Sequence, residues 1–222
     1  MTAMRAGPRA VAKAERRRRL KEAALAVFAE KGYQAATTRE IAARAELGAA
    51  TLFRYAEQKR DLLLMIVNDD LNDIDAIALR AVDPQAPLVD ALLILFLPRF
   101  HYWKANLSLA REAIHETVVA RASDETFEAR RYRSRRRVLL DAIVELIRHQ
   151  QTSGRVRPDE DPELVAELLL GIYLAQMRHW LAEPKPEVAR GVASLRLLLS
   201  LAVRGVAAEC SSAPRLAVRS GR

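Results

Sequence analysis

The amino-acid sequence predicts an all-α protein. Only 8 of its 222 residues are glycine and 9 are proline, and half of all residues are apolar, which is typical of a globular chain with a sizeable core. No segment alternates apolar and polar residues over the length of a strand, whereas apolar residues recur at helical spacing. Both observations favour helices throughout the chain.

Each predicted element follows from a local signal. Gly32 and Gly154 are expected to stop the helices that precede them, and pairs of prolines at 84 and 87 and at 184 and 186 mark loops. In chain order, the predicted elements are a flexible basic arm at 1–11, a helix at 12–31, two short helices within 37–55, helices at 59–81, 88–105, 107–121, 124–152, 162–182 and 186–208, and a disordered tail at 209–222.

Residues 37–55 have the spacing of two short helices joined by a tight turn, which is typical of a DNA-reading helix-turn-helix. Thr37 can cap the first helix while Glu40 reaches back to its backbone N–H, as in a capping box. Gly48 permits a sharp turn with a positive φ, and it can also serve as the N-cap of the second helix. The second helix leaves outside the side chains of Thr51, Arg54 and Tyr55.

With these residues in place, the first third of the chain resembles the DNA-binding domain of the TetR family of one-component transcriptional regulators. The remainder resembles the family in being helical and of suitable length. The matching residues are Phe28, Gly32, Tyr33, Thr37, Thr38, Ile41, Ala42, Ala45, Thr51, Leu52, Phe53, Tyr55, Lys59 and Leu62. The sequence departs from the family pattern at Glu46, Gly48, Ala50 and Ala56.

The resemblance implies five parts. The predicted parts are a flexible basic arm at 1–11, a three-helix DNA-binding domain at 12–60, a connecting helix at 61–83, a helical ligand-binding and dimerisation domain at 84–208, and a disordered tail at 209–222.

A division of roles on DNA follows from the motif. We expect phosphate contacts from Thr37, Thr38, Thr51, Tyr55 and Lys59. Base contacts are assigned to Arg39, Ala49, Ala50 and Arg54. Of these four, only the arginines can hydrogen-bond the edge of a guanine in the bidentate way.

The positive charge is concentrated near the helix-turn-helix. Residues 1–60 contain 14 Lys and Arg against 6 Asp and Glu, whereas residues 61–222 contain 22 of each, so the whole net charge of +8 lies in the first part. This distribution is expected of a domain that meets DNA phosphates. Solvated surface charge is the alternative interpretation.

The two predicted helices closest to the carboxy terminus are apolar on more than one face. A soluble protein seldom leaves such a surface exposed, so the pattern favours a four-helix interface between two copies of the chain. A purely intramolecular core is the alternative. The predicted interface residues are Leu164, Leu168, Ile172, Leu195, Leu199 and Val203.

Aromatic and polar residues in the middle helices suggest a cavity for a small ligand, because such cavities are mostly apolar with a few orienting polar groups. A plain core is the alternative. The predicted ligand-binding residues are Phe96, Phe100, Trp103, Arg111, His115, Tyr173, Gln176 and Met177. The arginines within 130–137 are interpreted as a solvated face, and a docking site for an anionic ligand such as a coenzyme A thioester is the alternative.

Other classes of protein are disfavoured. Cys210 is the only cysteine, so no disulfide framework or thiolate metal site can form within one chain, and no metal or cofactor is expected. No signal peptide or membrane span is recognisable, which predicts a cytoplasmic protein. The sequence also lacks a phosphate-binding loop and a nucleophile elbow, which argues against an enzyme.

The sequence therefore predicts a repressor that binds a palindromic double-stranded DNA operator as a homodimer and is released by a small, largely apolar effector. The alternative is a helical dimer with non-specific or lost DNA binding that acts as a ligand-binding or interaction module.

Overall fold

The computed structural model describes residues 7–119 and 125–206. Within these ranges it contains nine helices and no β-strand, which confirms the predicted all-α fold class. The helices are α1 (Pro8–Ala35), α2 (Thr38–Arg44), α3 (Ala49–Phe53), α4 (Lys59–Ala81), α5 (Leu88–Ala105), α6 (Leu107–Val119), α7 (Phe127–Thr152), α8 (Pro162–Ala182) and α9 (Val188–Val206).

The helix boundaries agree best with the sequence where a cap or a proline marks them. The bounds of α4, α5 and α8 match the predicted helices at both ends. Asp161 caps α8 by accepting a hydrogen bond from the Glu163 N–H, and Pro162 occupies the first position, where its missing N–H costs nothing. By contrast, α7 begins three residues later than predicted, because the Thr126 side chain supplies its N-cap.

The amino-terminal region differs from the prediction in two ways. Helix α1 begins at Pro8, so the last residues of the predicted arm are helical, while residues 1–6 lie outside the described ranges. Gly32 interrupts α1 with a φ of 76°, but the chain resumes a helical course to Ala35. The predicted tail at 209–222 also lies outside the described ranges.

The helix-turn-helix confirms the capping box and corrects the turn. The Thr37 hydroxyl accepts a hydrogen bond from the Glu40 N–H at 3.2 Å, and the Glu40 carboxylate accepts one from the Thr37 N–H at 3.1 Å. The predicted positive φ at Gly48 is wrong, because Gly48 has a φ of −66° and acts only as the N-cap of α3. The positive φ, 52°, occurs at Glu46, where the TetR pattern has a glycine.

Helix α4 lies at the centre of the fold. It packs against α1 of the amino-terminal unit and against α5, α6 and α7 of the carboxy-terminal unit. The side chains of Leu62, Leu63, Met65 and Ile66 are fully buried along its first half. The helix therefore connects the core beneath the helix-turn-helix with the core of the larger domain.

Helix α9 closes the larger domain at Gly191, which is buried against aromatic side chains. A Cβ at this position would lie 2.6 Å from Trp180 Cδ1 and 2.7 Å from Phe100 Cε1. These two rings pack edge to face with centroids 4.9 Å apart, so they have little room to move.

We expect Gly191→Ala to lower the free energy of unfolding by about 1 to 3 kcal/mol, the usual cost of overpacking a core. Urea denaturation followed by circular dichroism measures this change. Gly205→Ala is the matched control, because Gly205 lies in the same helix and a Cβ there meets nothing within 4 Å. Equal stability of the two variants would contradict the close packing at Gly191.

Candidate nucleic-acid interface and internal cavity

Helix α3 and the residue that follows it expose both apolar and polar side chains to solvent. Leu52 is 1% exposed and anchors the helix against the core, whereas Ala49, Ala50, Phe53 and Arg54 are exposed. The Arg54 guanidinium makes no hydrogen bond or ion pair with another residue of the described ranges, and the same holds for Arg39 in α2. Both arginines are thus free to reach an external group.

Lys59 and Tyr55 lie beside this surface and are partly engaged within the domain. The Lys59 ammonium donates hydrogen bonds to the carbonyls of Tyr33 and Gln34 at 2.6 and 2.9 Å, and it lies 4.6 Å from the centroid of the Tyr33 ring. The Tyr55 hydroxyl is 3.4 Å from both the Lys13 carbonyl and Arg16 Nε. These contacts hold Tyr55, which follows α3, against the first half of α1, and Lys59, which begins α4, against the last turn of α1.

An acidic side chain caps the start of α2 and is paired with a basic side chain of α1. The Glu40 carboxylate that completes the capping box also forms an ion pair with Lys31. The hydrogen bonds from Lys31 and Thr37 hold the pKa of Glu40 below its ordinary value. The Thr37 hydroxyl also donates to this carboxylate at 2.9 Å, so its hydrogen-bonding capacity is used within the helix cap. Thr38 is partly exposed beside it.

A partly buried charge network joins the amino-terminal unit to the larger domain. Arg17 of α1 binds Asp69 of α4 in a bidentate manner at 2.8 and 2.9 Å, and its Nη1 donates to Glu128 of α7 at 2.7 Å. Arg131 of α7 donates to both carboxylates at 2.9 Å. The fully buried Glu128 also accepts a hydrogen bond from the Asn68 amide at 3.0 Å.

These ion pairs lower the pKa of Asp69. Burial raises the pKa of its carboxyl, but the hydrogen bonds from Arg17 and Arg131 outweigh burial and hold the pKa below its ordinary value. Asp69 is therefore charged at neutral pH, and the network connects three helices from both units.

A cavity of about 460 Å³ lies inside the larger domain, between α4, α5, α6, α7 and α8. Its wall combines apolar side chains with five arginines, and the lining contains no Asp or Glu within the described part of the chain. The lining residues are Val67, Leu71, Arg99, Trp103, Ala113, Ile114, Tyr132, Arg133, Arg135, Arg136, Leu139, Leu170, Gly171, Tyr173, Leu174, Met177 and Arg178.

The solvent exposure of the lining residues increases from the inner wall of this cavity to its mouth. Arg99 is 3% exposed, Tyr173 4% and Met177 1%, whereas Arg136 and Arg178 are exposed to solvent. Burial raises the pKa of Tyr173 to about 12, so its hydroxyl is neutral and can donate a hydrogen bond. The cavity is thus an apolar chamber with positive charge on its inner wall and at its mouth.

The predicted ligand-binding residues fall into three groups. Trp103, Tyr173 and Met177 line the cavity. Phe96 stacks on the Tyr173 ring at 4.2 Å and, with Phe100 and Gln176, is buried without being part of the lining. Arg111 and His115 lie elsewhere, on the exposed side of α6, where Arg111 donates to the carbonyls of Leu181 and Glu183 at the end of α8.

The cavity lining also contains Arg99, Tyr132 and Arg178, which were not predicted from the sequence, and three of the arginines within 130–137 that were interpreted as a solvated face. One signal could have identified Arg99. It falls at helical spacing among the apolar residues Phe96, Phe100 and Trp103, and Asp75 occupies a similar place on α4. An arginine and an aspartate on the apolar faces of two helices indicate a buried ion pair.

A second concavity of about 490 Å³ lies near the ends of α4 and α7 and is more open to solvent. The charged residues in its wall, Glu145 and Arg148, pair with each other at 2.6 Å. Its lining therefore carries no unbalanced charge to attract an ion, and the first cavity is the better candidate for a ligand site.

The outward faces of α8 and α9 carry large apolar side chains. Leu164 and Leu168 are 67% and 51% exposed, and Ile172 and Val203 are partly exposed. Leu195 and Leu199 are fully buried within the subunit, so they cannot form a surface for a second copy as predicted. They lie on the opposite side of α9 from the exposed Leu197 and Leu201, and Leu198, which is 39% exposed, lies between the two sides.

Within the described ranges, no cluster of three or more His, Cys, Asp or Glu side chains could hold a metal ion. None of the described helices is both long enough and apolar enough to cross a membrane.

Comparisons with known proteins agree with this geometry. The family model described as "Bacterial regulatory proteins, tetR family" matches residues 20–66. The transcriptional repressor KstR of Mycobacterium tuberculosis is 25% identical over 175 residues, which are 77% of this chain and 73% of that protein.

Two solved structures share the fold. Thermus thermophilus FadR in complex with lauroyl-CoA has a TM-score of 0.66 at 24% identity, over 90% of this chain and 99% of that one. Bacillus subtilis FadR in complex with stearoyl-CoA has a TM-score of 0.65 at 19% identity, over 85% of this chain and 98% of that one.

Proposed function

We propose that this chain, whose residues 20–66 match the family model of bacterial TetR-type regulatory proteins, is a TetR-family repressor that binds a palindromic operator as a homodimer. Its release from DNA is triggered by an anionic, amphipathic small molecule, with an acyl-CoA thioester as the model effector. Both α3 helices of the dimer enter successive major grooves, about 34 to 36 Å apart, as in other dimeric helix-turn-helix proteins.

The exposed surface of α3 supports the operator part of the proposal. Ala49 and Ala50 are small enough to let the helix approach base edges closely, and Arg54 and Arg39 have free guanidinium groups. Thr51, Tyr55 and Lys59 flank them and set the register on phosphates, with Thr37 and Thr38 at the start of α2. Lys59 retains one N–H for a phosphate after its two carbonyl contacts.

The homodimer rests on the leucines exposed on α8 and α9. Leu164 and Leu168 lie four residues apart on α8, and Leu197 and Leu201 lie four residues apart on α9, so each helix has one apolar stripe outside the subunit core. Contiguous apolar surface of this kind commonly marks a protein interface. Packing of both stripes against a second copy produces a four-helix interface.

The arginine-lined apolar cavity is the observation that carries the effector part of the proposal. Apolar walls suit an acyl chain, and a lining with five arginines and no Asp or Glu among its described residues suits carboxylate or phosphate groups. The volume of about 460 Å³ falls within the range of small-molecule sites. Two proteins of the same fold are known in complex with lauroyl-CoA and stearoyl-CoA, which have this combination of apolar and anionic parts.

A selection experiment tests the proposal. Purified protein is offered a random-sequence duplex library at about 0.15 M salt, where screening suppresses phosphate-only binding, and the retained DNA is sequenced. We expect enrichment of a palindrome, and then its release by lauroyl-CoA but not by coenzyme A alone. Retention without enrichment would instead favour the alternative of a helical dimer with non-specific DNA binding.

Two substitutions directly after α3 separate base reading from phosphate binding. Arg54→Ala should relax the preference at one base position of the enriched operator, at a cost of about 1 to 3 kcal/mol, whereas Tyr55→Ala should weaken all sequences to a similar degree. Fluorescence anisotropy with a panel of single-base operator variants measures both effects. Parental binding by both variants would show that α3 does not enter the groove.

A further inference from the structure

The inner wall of the cavity holds a compact group of charges that is separate from the arginines at the mouth. Asp75 of α4 forms an ion pair with Arg99 Nη2 at 2.6 Å and with Arg135 Nη1 at 3.1 Å. The side chains of Asp75, Arg99 and Arg135 are only 9%, 3% and 13% exposed. We refer to these three residues as the inner charge group.

The inner charge group is unbalanced. One carboxylate faces two guanidinium groups, which leaves one net positive charge in a largely apolar wall. Two of its donors, Arg99 Nη1 and Arg135 Nε, are buried and have no hydrogen-bond partner among the described residues. A buried charge is stable only when it is paired and hydrogen-bonded, so this arrangement is suited to an anion supplied from outside the protein.

The mouth of the cavity can bind a different part of the same ligand. Arg136 and Arg178 are exposed, and no ion pair joins either of them to an acidic residue within the described ranges. Phosphate groups that stay in water suit this position. Between the two positions the wall is lined by apolar residues such as Leu71, Trp103 and Met177.

We infer that the effector carries a second anionic group, a carboxylate at the far end of its acyl chain, which binds Arg99 and Arg135. The effector class is then an acyl-CoA thioester with a terminal carboxylate rather than one with a plain alkyl end. This inference rests on the proposed function, and it adds to it the chemistry of the buried end of the ligand.

The test compares two probes of equal chain length by isothermal titration calorimetry, lauroyl-CoA and the mono-thioester dodecanedioyl-CoA. A charge-assisted hydrogen bond in a buried site favours the second probe, and we expect it to bind at least about tenfold more tightly. Arg99→Gln should abolish this preference while Asp75 keeps its ion pair with Arg135. Arg178→Gln at the mouth is the matched control, and it should weaken both probes equally and leave their ratio unchanged.

A double variant, Asp75→Asn with Arg99→Gln, removes both members of the ion pair and guards against misfolding of the single variant. Its thermal midpoint and circular dichroism report on folding. Because Arg135 has then lost its ion pair with Asp75, the group again carries one net positive charge, and the preference for dodecanedioyl-CoA should return.

Three results overturn the inference. Equal binding of both probes to the parent protein would show that an alkyl end, and not a carboxylate, lies against the inner wall. The acyl-CoA effector of the proposed function would still stand. An equal loss of both probes in Arg99→Gln would assign Arg99 to a group that the probes share. Failure of both probes to bind would reject the acyl-CoA effector as well, while the DNA selection would still test the repressor.

Discussion

Replacement of Glu128 by alanine should lower the free energy of unfolding by about 3 kcal/mol, the lower end of the range for breaking a buried ion pair. Glu128 is fully buried and accepts hydrogen bonds from Arg17, Arg131 and Asn68. Its loss leaves two guanidinium groups with Asp69 as their only carboxylate. We expect a cost at the lower end of this range because the side chains of Arg17 and Arg131 are 21% and 31% exposed, so water can partly hydrate them.

Urea denaturation of Glu128→Ala and of Glu125→Ala measures this effect against a matched control. Glu125 lies three residues earlier, its side chain is 71% exposed, and its contacts with Arg130 and Arg133 are 3.6 and 3.7 Å long. Exposed pairs of this kind contribute about 0 to 1 kcal/mol. If the two alanine variants were equally stable, the network between α1, α4 and α7 would not contribute to the stability of the fold.

Replacement of Leu201 by glutamate should prevent dimerisation and reduce operator affinity by about a hundredfold or more, or roughly 3 kcal/mol, because a monomer reaches only one half-site. Leu201 is 60% exposed on α9, so the substitution places a charge in the proposed interface without disturbing the subunit core. Sedimentation velocity should show a change from dimer to monomer, and anisotropy with the enriched operator should show the loss of affinity.

Ile77→Glu is the matched control for this experiment. Ile77 has a similar exposure of 64%, but it lies on α4, outside the apolar stripes of α8 and α9. This variant should remain dimeric and bind the operator like the parent protein. A dimeric Leu201→Glu protein would show that α9 is not part of the interface.

The sequence predicted the helix-turn-helix in detail because local signals determine it. Thr37 and Glu40 cap α2 through residues three apart, and the apolar spacing alone places Leu52 against the core. The left-handed residue of the turn could not be placed in the same way. Glu46 adopts the positive φ although glutamate does not favour it, and the surrounding turn imposes this conformation.

The interface and cavity residues were harder to predict because they depend on the rotation of each helix within the fold. On α9, leucines occur on all sides of the helix, at 195, 197, 198, 199 and 201. Their spacing alone therefore does not show which of them face the core. Arg111 was predicted as a ligand contact, but its guanidinium donates hydrogen bonds to carbonyl groups at the end of α8. Those carbonyls belong to residues about 70 positions away, and no local pattern reveals such a contact.

The position of α4 limits how this regulator can be re-engineered or can evolve. Val67 and Leu71 form part of the cavity wall, while Asn68 and Asp69, next to them in the sequence, join the network that binds α1 and α7. A substitution that reshapes the cavity for another ligand also shifts the residues that hold the DNA-binding unit. On the proposed function, ligand preference and the basal level of repression are therefore expected to change together, and adaptation to a new inducer would require compensating substitutions in α1 or α7.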